Sequence, residues 1–126
     1  MSNKSFSLKF KGDARNTGSM RNDIDVSFES MNEKFKLATD EGAFHGGKGT
    51  APPPLALFTA SLCGCVMTQI KAFGKKLKIE VDEIKIDASM NWNGEITDEG
   101  PYKASCEGYN LDIDIISNEN IENKVK

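Results

Sequence analysis

One stretch restricts what this chain can become: Ala51 to Gly74, APPPLALFTASLCGCVMTQIKAFG, the only long apolar segment in 126 residues. Pro54 suits the first helical position, where a missing N–H costs nothing and φ is already helical. Gly74 suits the left-handed residue that closes a helix, with Lys71 in the last turn facing the negative end of the dipole. A helix between these marks aligns Leu55, Phe58, Leu62, Cys65, Val66, Gln69 and Phe73 on one stripe, the spacing of a buried face. Thr59, Cys63 and Met67 on the other side carry no charge either, so the expectation is a helix wrapped by protein on most sides. The uncharged run could be mistaken for a membrane span. Its three leading prolines and internal Gly, Ser, Thr and Gln leave too short an apolar length, which predicts a buried core helix and no membrane contact.

The remainder reads as strands and turns. Phe6, Leu8 and Phe10 alternate with polar residues and predict a first strand, ended by a loop at Gly12-Asp13 and Asn16-Thr17-Gly18. Ile24, Val26 and Phe28 open a second strand. A turn over 30–34 leads to a third at Phe35 and Leu37, completing an antiparallel meander. Residues 40–53, DEGAFHGGKGTAPP, are a loop. After Gly74, Ile79 and Val81 are out of phase with Ile84, Ile86, Ala88, Met90 and Trp92, which predicts a break near Asp82-Glu83 before a long strand. Asn93-Gly94 is a hairpin-turn dipeptide or the start of a longer connection through Pro101. Tyr102 to Cys106 and Leu111, Ile113 and Ile115 supply returning strands. Ser117 or Asn118 is a credible N-cap for a short final helix carrying Glu119, Ile121, Glu122 and Val125, cut off after two turns.

At this length one domain spanning residues 1–126 is expected, large enough for a real core. With 38% hydrophobic and 28% charged residues the composition is that of a globular protein. A net charge of −3 argues against nucleic acid as a partner, since phosphate binding needs a basic face. MSNKSFSLKF shows no secretory h-region, so the three cysteines are expected in a reducing cytoplasm, where they stay thiols unless redox-active.

In GGKGTAPPPLALFTASLCGCVMTQIKAF, a Gly-rich loop precedes a helix that opens from proline and carries a cysteine. This resembles the OsmC/Ohr family of thiol-dependent peroxidases, whose helix follows the pattern G-x-x-x-P-x-x-L, two small residues, then cysteine. The resemblance implies an α+β, OsmC-like fold, with antiparallel sheets around a long buried central helix, in an intertwined homodimer with active sites at the interface. It implies reduction of organic hydroperoxides by a cysteine thiolate that becomes a sulfenic acid. A second cysteine on the C-terminal helix then forms a disulfide that a cellular dithiol reduces, and no cofactor is needed. Cys65 falls on the peroxidatic position. The family's thiolate is supported by an arginine near the N-terminus, best matched by Arg15, and a helix glutamate orients that arginine.

Physical chemistry asks for the same cation. Cys65 lies about three turns into the helix, beyond the reach of the dipole, so a charge stabilising its thiolate must come from elsewhere. The chain departs from the family pattern in two places. Leu55 and Ala56 stand where the glutamate would be, and the C-terminal helix with the resolving cysteine is incomplete. Cys106 comes too early in the chain to match that cysteine, and Cys63, two residues from Cys65, points to nearly the opposite side of a helix. Both are possible second thiols, but the small buried hydrophobe is how free cysteine most often behaves, and that reading is preferred for each. His45 is placed at the rim of the pocket. No metal site is expected, because a C-x-C on a helix does not converge two sulfurs on one ion. Two functions follow: a hydroperoxide reductase acting through Cys65, or a non-catalytic dimer of the same fold holding a small hydrophobic ligand in its interface pocket.

Overall fold

The computed structural model describes residues 4–100 and 103–118. The chain divides into two compact units, residues 1–57 and 58–126.

In the first unit, β1 (Phe10–Asn16), β2 (Asn22–Phe28) and β3 (Glu33–Thr39) form an antiparallel sheet in sequential order. The meander is as expected, but its first strand lies further along the chain. Phe6 and Leu8 precede it, and Gly12 and Asp13, expected in a loop, pair with Val26 and Asp25. The reason is the turn. Asn16 clasps it, its Nδ2 donating to Ser19 O (2.6 Å) and Arg21 O (3.1 Å) while its Oδ1 accepts from Gly18 N (3.1 Å). Gly18 takes a φ of 106° that side chains rarely adopt. Fixing the turn there extends the ladder back to Phe10. Register places Phe10, Ala14, Ile24, Val26, Phe28, Phe35 and Leu37 on one face, with Phe10 stacked on Phe28 at 4.3 Å. Lys11, Asp13, Arg15, Asp23, Asp25, Lys34 and Lys36 occupy the other.

The helix α1 spans Pro54–Lys76 and opens from proline as expected, Pro53 O accepting from Ala56 N and Leu57 N. It does not close at Gly74. Closure comes one turn later, where Lys78 takes the left-handed φ of 58° and Ile79 N donates to Gly74 O (2.8 Å). Gly74 serves close packing instead: a Cβ there would sit 2.9 Å from Val81 Cγ2 and 3.2 Å from Ile79 O.

In the second unit, β4 (Glu83–Glu95) and β5 (Lys103–Ile116) form a long antiparallel hairpin. The break before β4 lies where the phase change predicts it. Asn93 and Gly94 are not the turn; they pair with Ser105 and Ala104, and the connection is 96–102. The returning segment is one strand, because a bulge at Glu107 absorbs the irregularity, with Gly108 at φ 121°. One hairpin face therefore carries Ile84, Ile86, Ala88, Met90, Trp92, Cys106, Tyr109, Leu111, Ile113 and Ile115.

Against this hairpin α1 half-buries Thr59, Leu62, Cys63, Val66, Met67 and Ile70 and fully buries Gly74. That stripe is turned about 90° from the predicted one at 100° per residue. Leu55, Phe58, Cys65, Gln69 and Phe73 are exposed. The expected buried central helix is therefore not buried within the chain. Among the described residues no hydrophobic side chain is fully buried; only Thr39 and Asp40 are, besides Gly74. By length and composition α1 also passes as a membrane span. Of the predicted final helix, Glu119, Ile121, Glu122 and Val125 lie outside the described residues, as does Tyr102. Ser117 and Asn118 donate instead to Glu80 O (2.6 Å) and Asp82 Oδ2 (3.0 Å).

Candidate functional site

Cys65 stands at the edge of an apolar groove of about 480 Å3 in the second unit. One wall is the flank of α1, with Val66, Gln69, Ile70, Phe73, Gly74 and Leu77; the other is Ile79, Val81 and Ile115. The absence of a side chain at Gly74 lets Val81 reach the helix, and Lys71 Nζ holds the same segment by donating to Val81 O (2.6 Å). Gln69 is the one amide in the lining, and no charged side chain borders the groove. Such a wall holds hydrocarbon by desolvation and leaves a thiol as its only nucleophile.

None of the three thiols is disulfide-bonded. Cys63 is half-buried on the hairpin side of α1, whereas Cys65 is exposed. In an unbroken helix the two side chains point about 160° apart. Cys106 is exposed and opposite Trp92 on β4. Hydrogen bonding with the Cys106 thiol, together with desolvation, favours the protonated phenol of Tyr109 and raises its pKa. The Tyr109 ring lies 6.2 Å from that of Phe58.

The arginines belong to the first unit. Arg15 lies in β1 rather than in a loop, exposed on the charged sheet face and opposite Asp23. Asp23 is engaged by Arg21, whose Nη2 lies 3.1 Å from Asp23 Oδ1. The Nη1 of Arg21 donates to Thr50 O (3.2 Å) and Thr50 Oγ1 (3.0 Å). Thr50 in turn donates from N (3.0 Å) and Oγ1 (2.6 Å) to Asp40 Oδ2, while Glu41 N donates to Oδ1 (2.8 Å). Asp40 is 2% exposed, and these donors, Thr50 Oγ1 foremost, lower its pKa from 3.8 to about 2. This chain of contacts fixes the Gly-rich loop ahead of α1. Its only legible trace in the sequence is an Asp at the loop's start, a residue type that caps turns through its side chain. His45 ends a short 3-10 turn, Ala43–His45, with its Nδ1 3.9 Å from Glu41 Oε2 and its ring edge-on to Phe44. Among the described residues no group of three His, Cys, Asp or Glu side chains converges as metal ligands.

Comparison with known proteins gives a consistent result. Residues 47–126 match the family model described as OsmC-like protein. An OsmC-like hydroperoxide resistance protein from Jannaschia sp. CCS1 is 39% identical, with 91% of this chain and 73% of that chain covered and a TM-score of 0.52. An organic hydroperoxide resistance protein OsmC, predicted redox protein and regulator of sulfide bond formation from Legionella pneumophila shares 19% identity. The alignment covers 98% of this chain and 80% of that one with a TM-score of 0.58. A putative osmotic stress induced and detoxification response protein from Psychrobacter arcticus 273-4 shares 18% identity over 95% of this chain and 76% of that one, with a TM-score of 0.55. The last two likenesses concern fold. No curated protein matches the chain.

Proposed function

Because the chain belongs to the OsmC-like protein family, whose relatives include hydroperoxide resistance proteins, we propose that it reduces organic hydroperoxides through Cys65. The observation that carries this reading is an exposed thiol on the family's helix, at the edge of a groove whose lining is hydrocarbon apart from one amide. The alkyl part of a hydroperoxide binds by leaving water, which brings its O–O bond to the sulfur. The thiolate attacks the terminal oxygen, the O–O bond breaks, sulfur keeps that oxygen with its proton as a sulfenic acid, and the alkoxide leaves as the alcohol after taking a proton from water.

Arg15 is our choice for the cation that supports the thiolate. It makes no ion pair among the described residues, whereas the guanidinium of Arg21 is committed to Asp23 and Thr50. A second copy of the chain covers the outer face of α1 in this reading. Leu55, Phe58, Phe73 and Leu77 are 47%, 53%, 58% and 63% exposed. Covering each contributes about 1 kcal/mol, half the usual value for a large side chain. A membrane would cover the same face, but Ser61, Thr68 and Gln69 suit protein better than lipid. We place the protein in a reducing cytoplasm, with a cellular thiol as its reductant.

Incubation with cumene hydroperoxide and dithiothreitol tests the reading. Peroxide is consumed by the wild type and not by Cys65→Ser, while Arg15→Met slows consumption about 10-fold to 100-fold, the worth of one charge-assisted contact. Equal rates for wild type and Cys65→Ser overturn it. The non-catalytic alternative, a dimer that stores a small hydrophobic ligand, is favoured by the missing acid at Leu55 and Ala56. It predicts saturable binding of a fluorescent fatty acid with no peroxide loss.

A further inference from the structure

We infer that Lys71 is a positioning residue that sets the specificity of the groove: its bond to the Val81 carbonyl seats the second wall against the helix, so that a hydroperoxide is recognised by the length of its alkyl tail. The inference rests on the peroxidase reading above and adds which residue selects among the substrates.

The two walls differ in how they are built. One is the flank of α1, an unbroken helix braced by its own backbone bonds. The other is the segment 79–82, which belongs to no strand, since β4 begins only at Glu83. Its backbone is fixed at the two ends, where Ile79 N donates to Gly74 O (2.8 Å) and Asp82 N donates to Ile116 O (2.9 Å). Between those ends, Ser117 Oγ holds the Glu80 carbonyl from the strand side (2.6 Å). Lys71 Nζ holds the Val81 carbonyl from the helix side, also at 2.6 Å. A donor that carries charge makes the stronger kind of hydrogen bond. Lys71 and Gly74 lie three residues apart, on one side of the helix. The glycine makes room for the Val81 side chain, and the lysine, one turn earlier, draws the Val81 backbone in. Lys71 is not part of the lining, so it acts through Val81, which is. Without the ammonium, the Val81 carbonyl turns to water and the wall is free to move outward between its anchors. A gap of about 0.5–1 Å forfeits roughly a quarter to a half of the contact energy of each atom pair across it.

The position of the bond decides which substrates feel it. Lys71 lies six residues beyond Cys65 and Gly74 nine, about 9 Å and 14 Å along the helix axis. The pinned part of the wall is therefore remote from the sulfur. A molecule of tert-butyl hydroperoxide held at Cys65 is too short to touch it. Decyl hydroperoxide, with its O–O bond at the sulfur and its tail extended past Gln69 and Phe73, reaches Val81.

The test measures kcat and KM for both hydroperoxides, with dithiothreitol as reductant, in the wild type, Lys71→Met, Lys71→Arg and Lys75→Met. Met matches Lys in helix propensity, and Lys75→Met removes the same charge without touching the Val81 bond. In Lys71→Met the KM for decyl hydroperoxide should rise about fivefold to tenfold, while the KM for tert-butyl hydroperoxide and both kcat values stay within about twofold. Lys71→Arg, which keeps a cationic donor, should retain most of the preference for the long tail, and Lys75→Met all of it. Circular dichroism checks that the helix is intact, and Lys71→Gln, too short to reach Val81, takes the place of Lys71→Met should that variant fail to fold. A KM that rises equally for both hydroperoxides, or for neither, overturns the inference and leaves the peroxidase reading standing, as does a Lys75→Met variant that loses the preference. Failure of the wild type to consume either hydroperoxide overturns both.

Discussion

Gly74 and Asp40 are two positions in the described structure that tolerate little change. At Gly74 a methyl group would press on Val81 Cγ2 at 2.9 Å and on the Ile79 carbonyl at 3.2 Å. The better helix propensity of alanine gives back about 1 kcal/mol, but overpacking costs about 1–3 kcal/mol. Gly74→Ala should therefore lower the denaturant midpoint, and adding Val81→Ala should restore part of the loss by vacating the space. Asp40 is the other. Its folded pKa, about 2, is below its ordinary 3.8, so its carboxylate stabilises the fold fully above about pH 4 and loses that contribution as pH falls toward 2. Asp40→Asn should flatten this acid limb of a pH titration of thermal stability; an unchanged slope would show that other carboxylates set it. Cys65 was legible as the candidate nucleophile because a helix motif surrounds it. The Asp40, Thr50 and Arg21 contacts were not, because they join residues up to 29 positions apart across a loop with no periodicity to read.

Among the elements, the strands of the meander and the long hairpin were readable from alternation, since a pleated sheet with one apolar face repeats every two residues. The start of β1 was misread because Phe6, Leu8 and Phe10 also alternate, while the side chain of Asn16 decides where the turn falls. For α1 the limits were legible at Pro54 but the facing was not. A helix with no charge on any side until Lys71 gives periodicity nothing to choose between, and the packing of Gly74 against Val81 settles the rotation. Two apolar stripes result, one turned to the hairpin and the other, with Leu55, Phe58 and Phe73, about half exposed, Phe58 with its ring against Tyr109. Phe73→Asp on the half-exposed stripe should leave the helical circular dichroism in place but halve the mass seen by light scattering if a second copy sits there. A mass unaffected by the substitution would place the partner surface elsewhere.

For the molecule as a whole, the described residues contain no fully buried hydrophobic side chain. A 126-residue chain is long enough to make its own core, yet Phe10, Phe35 and Leu37 on the sheet of the first unit and Leu55, Phe58 and Phe73 on α1 are each about half exposed. If a second copy covers them, folding and association are one equilibrium, and melting temperature should climb with the logarithm of protein concentration across a dilution series. A constant melting temperature from micromolar to nanomolar would contradict obligate pairing. The bare core then acquires a meaning in terms of supply. A chain that folds only in pairs would be rescued from proteolysis by its own abundance, so that a modest rise in synthesis would yield more than a proportional rise in surviving protein. Dose, as much as sequence, would then set how much folded chain is present.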